Sequence, residues 1–290
     1  MSRLRPPTAA YCMLALVMLL WAGNAIVARA VHDTIPPFAL ALFRWTGALV
    51  LLAPFALPKV REDRSTLAGS WLVVLLLGLF GVAAFNAFLY SGLRYTTASN
   101  ALLLQAAIPA LVLLVDFALF RSRAGFGTIL GVALSSVGVA VIVFQGQLAA
   151  LSQVAFNRGD ALVLGGVVAW SLYTALLRRR PALHWLSFLF VTFAIGALAM
   201  VPLAATEWRE IAAVQWTPGV IAAILYVALL PSIVAYALFN AAVATLGPAS
   251  AGQAITLMPL FGALLAAGTL GALTFWKKRS GGGDDEPAGD

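Results

Sequence analysis

Two stretches of the sequence resemble each other: FLYSGLRYTTASNALLLQAAIPA at residues 88–110 and LFNAAVATLGPASAGQAITLMPL at residues 238–260. In both, polar or aromatic side chains precede a short turn, a helix start rich in small residues and a proline within the helix. Pro109 and Pro259 match at a spacing of 150 residues. The similarity therefore indicates an internal repeat rather than two unrelated helices.

The repeat extends to other helices of the two halves. WAGNAIVAR at residues 21–29 matches WSLYTALLR at residues 170–178 at a spacing of 149 residues. The Asn86/Tyr90 pair matches the Tyr236/Asn240 pair, with the residue types exchanged. A spacing of 149 or 150 residues over three pairs of helices predicts two repeats, at residues 1–150 and 151–276. Residues 277–290 are predicted to be a polar disordered tail.

The composition indicates that this chain lies in a lipid bilayer. Of its 290 residues, 62% are apolar and only 10% are charged, whereas soluble domains carry about a quarter charged residues. The net charge of +7 does not indicate a nucleic-acid partner, because the basic residues lie in short breaks between apolar runs. The single cysteine, Cys12, excludes an internal disulfide and a cysteine metal cluster.

Apolar runs of roughly 20 residues, the length that a spanning helix needs, follow one another along the chain. The first ends in ARA at residues 28–30, which is similar to a signal-peptide cleavage site, but the run is longer than a usual signal core, so we interpret it as a span. The predicted spans are 9–29, 36–57, 71–92, 97–119, 126–144, 161–178, 184–204, 218–244 and 249–275.

An odd number of spans in a repeat unit places the second unit in the membrane upside down. The first unit holds five predicted spans, so the chain is expected to be an all-α integral membrane protein built as an inverted repeat of five-helix units. Inverted repeats are typical of transporters whose substrate site lies between the halves, near the middle of the bilayer.

Lysine and arginine in the short loops predict the orientation, because they accumulate on the cytoplasmic side. With a cytoplasmic N-terminus, the inner segments hold Arg3, Arg5, Lys59, Arg61, Arg64, Arg121, Arg123, Arg178, Arg179 and Arg180. The outer loops before the last span hold Arg94, Arg158 and Arg209. The cluster at Lys277, Lys278 and Arg279 opposes this pattern, since the ninth span should end outside.

Several segments, taken in order, resemble the EamA-type drug/metabolite transporters, within which the chain is most similar to YddG-like exporters of aromatic amino acids. The resemblance covers about residues 9–270 and rests on LWAGNAIVAR, FALALFRWTGALVLL, YTTASNALLLQAAIPALVLL, GVALSSVGVAVI, VVAWSLYTALLRR and GQAITLMPLFGALLAA. It implies ten helices. Only nine spans are found here, because AAGTLGALTFW runs into the polar tail KKRSGGGDDEPAGD. The expected tenth helix is therefore missing or altered.

Polar side chains inside spans are the candidate substrate-binding residues, because such groups must face protein or a water-filled cavity. An aromatic and partly polar cavity suits an aromatic or apolar solute, and the alternative role for these groups is hydrogen bonding between helices. Arg44 either binds a substrate carboxylate or pairs with a backbone carbonyl and fixes helix packing. The candidates are Trp21, Asn24, Arg44, Asn86, Tyr90, Gln105, Trp170, Tyr173, Tyr236, Asn240 and Gln253.

Three prolines lie near predicted span centres, where each removes a backbone hydrogen bond and bends its helix. Pro109, Pro231 and Pro259 are therefore either hinges or static kinks. Gly131, Ser135 and Gly138 give the fifth span a face of small residues, which favours close internal packing or dimerisation; a monomer and a dimer both stay open.

Acidic residues lie mostly outside the spans. Asp116 is the one acidic residue inside a predicted span, where Arg121 or Arg123 would neutralise it, and Asp160 is expected to cap the sixth helix. Because proton-coupled transporters use a buried titratable group, we expect transport that is uncoupled or driven by the solute gradient.

These features favour a multi-pass exporter of small solutes in a bacterial inner membrane, working by alternating access, with substrate and lipid as partners and no cofactor, metal or catalytic residue. Aromatic or other neutral amino acids and related metabolites are the expected substrates, and broad drug/metabolite export is the alternative. A membrane enzyme is disfavoured because no nucleophile–base pair or metal motif is present. A passive channel or a scaffold is less favoured, because the polar groups form inverted pairs rather than pore rings.

The predicted topology is tested by fusing a reporter that is active only in the cytoplasm. Fusions after Arg64 and after Arg123 should be active, and fusions after Arg94 and at the C-terminus inactive, because the first two sites follow the basic loops. An active C-terminal fusion would contradict the nine-span topology.

Overall fold

The computed structural model describes residues 7–143, 156–265 and 267. Within these residues every regular element is helical. Short helices at Arg64–Gly69 and Trp208–Ala212 lie between the long ones. The long helices are α1 (Pro7–Ala30), α2 (Pro37–Glu62), α3 (Trp71–Leu93), α4 (Asn100–Phe120), α5 (Phe126–Val143), α6 (Arg158–Arg179), α7 (Trp185–Ala205), α8 (Pro218–Leu246) and α9 (Pro248–Leu265).

The predicted all-α membrane fold is confirmed, with a small difference in the count of spans. In the described part of the chain, eight helices are long and apolar enough to cross a bilayer. The apolar part of α5, Phe126–Val141, is shorter. Two predicted spans extend beyond the described residues: residue 144 of the span 126–144, and residues 266 and 268–275 of the span 249–275.

The internal repeat is visible as a repeated irregularity of the backbone. A π-helical turn interrupts α3 at Leu79–Ala84 and α8 at Leu229–Val234, again 150 residues apart. The hydrogen bonding of α4 breaks at Ala106 and Ala107, and that of α9 changes to a 3-10 turn at Ile255–Leu257. Both halves therefore share the same departures from α geometry.

Helices of one half pack mainly against helices of the other. The pairs are α1 with α8 and α3 with α6, as well as α2 with α7 and α4 with α9. In the repeat, α1 corresponds to α6, α2 to α7, α3 to α8 and α4 to α9. Exchanging the two halves therefore turns the α1–α8 contact into the α6–α3 contact, and it leaves the α2–α7 and α4–α9 contacts unchanged. The equivalent residues Trp21 and Trp170 touch, with ring centroids 5.1 Å apart, so the approximate two-fold axis passes between them.

Short connections fix where the helices begin. Gly247 has a φ of +83°, a conformation that glycine adopts without strain, and Pro248 follows it at the start of α9. The side chain of Asn157 caps α6 and forms a capping box with Asp160. Asp160 thus supports the cap from the third helical position, whereas the sequence prediction placed it as the cap itself.

Gly196 is where α7 approaches the π-helical turn of α3, and it offers a test of this packing. A methyl group there would clash with the Val82 side chain, so Gly196→Ala should destabilise the protein by about 1–3 kcal/mol through overpacking. Gly138→Ala on α5 is the control, because a methyl group there meets nothing within 4 Å. Thermal unfolding in detergent should show a lower Tm for the first variant only. Equal Tm values would contradict this packing.

Candidate functional site

A cavity of about 710 Å³ lies between α1, α2, α3, α4 and α9, and single residues of α6 and α8 complete its wall. It reaches the surface at the end where α1 finishes and α2 begins, because exposed Arg29, Pro37 and Arg94 line it there. The predicted topology places this end outside the cell. Its lining residues on α1 run from Trp21 to Arg29 and on α4 from Ala101 to Ile108, so the cavity stops short of the other ends of these helices.

The structure brings most of the candidate substrate-binding residues to this cavity. Eight of them line it: Trp21, Asn24, Arg44, Asn86, Tyr90, Gln105, Trp170 and Tyr236. The other three, Tyr173, Asn240 and Gln253, are not among the lining residues. Of the matched Asn86/Tyr90 and Tyr236/Asn240 pairs, three residues therefore line the cavity and Asn240 does not.

Asn240 instead takes part in a buried contact between α6 and α8, two helices of the second half. The Tyr173 hydroxyl donates a hydrogen bond of 2.6 Å to Oδ1 of Asn240, and both side chains are buried. The side-chain amide of Gln253 on α9 lies against Gly131 of α5. Asn240 therefore takes the alternative role that the sequence left open, hydrogen bonding between helices, and Gln253 makes a contact between helices.

Aromatic rings form the deep wall of the cavity. The Trp170 ring lies 5.1 Å from Trp21 and 5.9 Å from Tyr236, measured between centroids, in edge-to-face geometry. Phe85 adds a tilted contact 5.2 Å from Trp170. Such pairs are rigid and present large apolar faces, so this wall is suited to a ring or another flat apolar group.

Arg44 and Trp21 both donate to the π-helical turn of α8. Nη2 of Arg44 bonds to the Pro231 carbonyl at 3.1 Å, and Nε1 of Trp21 bonds to the same oxygen at 3.0 Å. Nε of Arg44 bonds to the Ser232 hydroxyl at 2.6 Å. The Ser232 hydroxyl in turn donates to the Val227 carbonyl at 2.8 Å. In a regular α-helix that carbonyl would accept from the N–H of residue 231, which is a proline and has no N–H.

The first half repeats this arrangement with different side chains. The Tyr236 hydroxyl of α8 donates to the Gly81 carbonyl in the π-helical turn of α3, at 2.7 Å. Gly81 is the position equivalent to Pro231. Within the described part of the chain, Nε1 of Trp170, the counterpart of Trp21, is buried without a hydrogen-bond partner. If the halves were identical, Trp170 would donate to the Gly81 carbonyl, as Trp21 does to the Pro231 carbonyl. Tyr236 donates to the Gly81 carbonyl instead.

The three candidate hinge prolines all lie at irregular backbone. Pro109 follows the break in α4, and Pro259 follows the 3-10 turn of α9. Pro231 lies inside the π-helical turn of α8. Whether these sites move as hinges stays a prediction.

An ion pair joins α4 to α6 near the end of the bundle that lies opposite to the cavity mouth. Nε and Nη2 of Arg178 on α6 bond to the two carboxylate oxygens of Asp116 on α4, at 2.6 and 2.7 Å. Asp116 is 3% exposed. The sequence prediction that Arg121 or Arg123 neutralises Asp116 is wrong, because α6 brings Arg178 to it from the other half.

A buried carboxylate near the cavity mouth was not predicted from the sequence. Glu207 is 5% exposed and accepts bonds from the backbone N–H groups of Phe38 and Ala39, at 3.0 and 3.1 Å, so it caps α2. It also pairs with the cavity-lining Arg94. Burial raises the pKa of Glu207, and these donors offset part of that rise. Its position in a loop gave no sequence signal for this contact.

In the described ranges, no cluster of three or more histidine, cysteine or acidic side chains is arranged to hold a metal ion. The cavity wall instead offers amide groups from Asn24, Asn86 and Gln105, rings and a guanidinium group. This set of groups can bind a small organic solute by ring contact, hydrogen bonding and charge.

The comparisons with known proteins agree with this geometry. The profile of the EamA-like transporter family matches the chain twice, at residues 8–144 and 157–282. An uncharacterized transporter of Archaeoglobus fulgidus is 32% identical over 88% of this chain and 87% of that protein. A probable terminal-alkyne amino-acid exporter of Streptantibioticus cattleyicolor is 29% identical over 85% of this chain and 80% of that protein.

A chain in a solved crystal structure has the same fold. It matches this chain with a TM-score of 0.69 at 20% sequence identity, over 90% of this chain and 89% of the other.

Removing the charge of Asp116 tests how much the Asp116–Arg178 pair stabilises the contact between α4 and α6. Asp116→Asn should lower stability by about 1–3 kcal/mol, because two charge-assisted hydrogen bonds are lost, while the half-exposed Arg178 side chain stays partly solvated. Glu62→Gln is the control, because its pair with Lys59 is exposed and should contribute only about 0–1 kcal/mol. Thermal unfolding in detergent measures both, and an equal effect of the two substitutions would contradict this role.

Proposed function

Because the chain belongs to the EamA-like transporter family, we propose that it exports aromatic and other neutral amino acids and related metabolites from a bacterial cell. The family and the names of the relatives indicate a membrane transporter rather than an enzyme. The cytoplasmic N-terminus and the inner-membrane location are part of the proposal.

The observation that carries the proposal is the composition of the cavity wall. A volume of about 710 Å³ lies within the range of roughly 300–1,000 Å³ that is usual for small-molecule sites. Trp21, Trp170 and Tyr236 supply ring faces, and Asn24 and Gln105 supply amides. Rings bind a flat apolar body, while the amides orient its polar end.

The inverted halves support alternating access as the mechanism. The described conformation has an open mouth near Arg29 and Arg94 and a closed opposite end at Asp116 and Arg178. In an inverted repeat, exchanging the conformations of the halves opens the closed end and closes the open one. We propose that the described conformation is outward-open. The second conformation, in which the halves have exchanged their arrangements, is inward-open and takes up solute from the cytoplasm.

One relative supports the amino-acid specificity. The Streptantibioticus cattleyicolor protein is named as an exporter of a terminal-alkyne amino acid. That side chain is apolar and unbranched at its end, so it requires an apolar site. The aromatic wall of this chain offers such a site to a related class of solutes.

We propose that transport is uncoupled or driven by the solute gradient, because the buried carboxylates of Asp116 and Glu207 are each paired with an arginine. In proteoliposomes, a pH gradient imposed without a solute gradient should drive no accumulation of solute. If it does drive accumulation, the expectation fails. Loss of that accumulation in Glu207→Gln, with retention of counterflow, would then identify Glu207 as the proton-binding group.

The transport proposal is tested by counterflow of radiolabelled phenylalanine and tryptophan in proteoliposomes. Saturable counterflow is expected, and flux that rises linearly with concentration would indicate a channel instead. Asn24→Ala should raise the KM about tenfold, because one hydrogen bond of about 1.4 kcal/mol to the solute is lost. Asn100→Ala is the matched control, because Asn100 does not line the cavity and its KM should be unchanged.

A further inference from the structure

Arg44 is a buried cation whose partners are all neutral. Its residue is 6% exposed, and its bonds go to the Ser232 hydroxyl and the Pro231 carbonyl. Its guanidinium carbon also lies 4.4 Å from the centroid of the Trp45 ring. Among the described residues, no ion pair includes Arg44. The charge is therefore solvated by dipoles and a ring, and not neutralised.

The rest of the cavity wall does not supply the missing negative charge. Four basic side chains line the cavity, those of Arg29, His32, Arg44 and Arg94, and no aspartate or glutamate is among the described lining residues. Glu207 neutralises Arg94 from outside the lining. Arg29 and Arg44 stay as positive charges facing the same space, one at the mouth and one at depth.

A positive charge at this depth is costly unless an anion meets it. A guanidinium group has five N–H donors. The Ser232 and Pro231 bonds use one each, and the neutral Tyr90 hydroxyl lies within reach of a third, which still leaves donors for a further acceptor. A carboxylate matches the planar fork of a guanidinium group. The charge of Arg29 at the mouth would favour entry of anions over cations.

We infer that Arg44 binds the carboxylate of the solute, and that the cavity selects carboxylates with an aromatic or apolar body and does not require an ammonium group. This inference rests on the proposed function and narrows its substrate class. The body of the solute lies against Trp21 and Trp170, and the carboxylate supplies the counter-charge for Arg44. Cations with the same body lack that attraction and are repelled.

Three compounds with the same ring and a two-carbon chain test the inference: phenylalanine, 3-phenylpropionate and phenethylamine. They differ in carrying both charged groups, only the carboxylate, or only the ammonium group. Calorimetric titration of the purified full chain in detergent should give 3-phenylpropionate a Kd no weaker than that of phenylalanine. Phenethylamine should bind at least tenfold more weakly than either.

Substitutions of Arg44 and of its partner Ser232 show whether Arg44 causes this order of affinities. Arg44→Gln should weaken binding of both carboxylates at least tenfold and remove the difference from phenethylamine. Arg44→Lys keeps the charge and should keep the order with lower affinity. Ser232→Ala removes a partner of Arg44 but not its charge, so it should also keep the order. The Tm of each variant separates loss of binding from loss of folding.

Two different failures are distinguishable. If phenethylamine binds as tightly as 3-phenylpropionate, or if folded Arg44→Gln keeps the order, the inference on carboxylate recognition is overturned while aromatic solutes still bind. If none of the three compounds binds to the wild-type protein, the proposed aromatic specificity is overturned, and the inference with it.

Discussion

Backbone hydrogen bonding inside a bilayer is the constraint on which this structure depends. Lipid offers no partner for an unpaired carbonyl, and the π-helical turns of α3 and α8 each free one. Trp21 and Arg44 of the first half cover the Pro231 carbonyl, and Tyr236 of the second half covers the Gly81 carbonyl. Each half therefore completes the backbone of the other, which holds the halves together around their common axis.

The cavity lies where two equivalent helix contacts of the halves differ. On one side α4 packs closely on α6, and the Asp116–Arg178 pair ties their ends together. The equivalent contact of α9 with α1 is less extensive, and the cavity is lined by both of these helices. A symmetric chain would have two such spaces or none. The difference between equivalent contacts is thus what gives the described conformation an open side and a closed side.

Sequence reasoning predicted the parts of this structure that periodicity and composition determine. Span length and the 150-residue repeat gave the helices and their inverted pairing, and the cost of buried polar groups pointed to Trp21 and Asn86. It placed Asn240 at the cavity wrongly, because the face of a helix that meets a cavity depends on tertiary packing. It also missed Glu207, because a loop acid gives no sign that it will cap a distant helix.

The central claim is that one cavity is exposed alternately to the two sides of the membrane. Met258 lines the cavity at the middle of α9, and a cysteine there, in a Cys12→Ser background, reports its exposure to impermeant maleimides. We expect labelling from outside in the resting protein, and a solute on the inside should lower the outer rate while the inner rate rises. Simultaneous labelling from both sides at constant rates, or none from inside under any condition, would contradict alternating access.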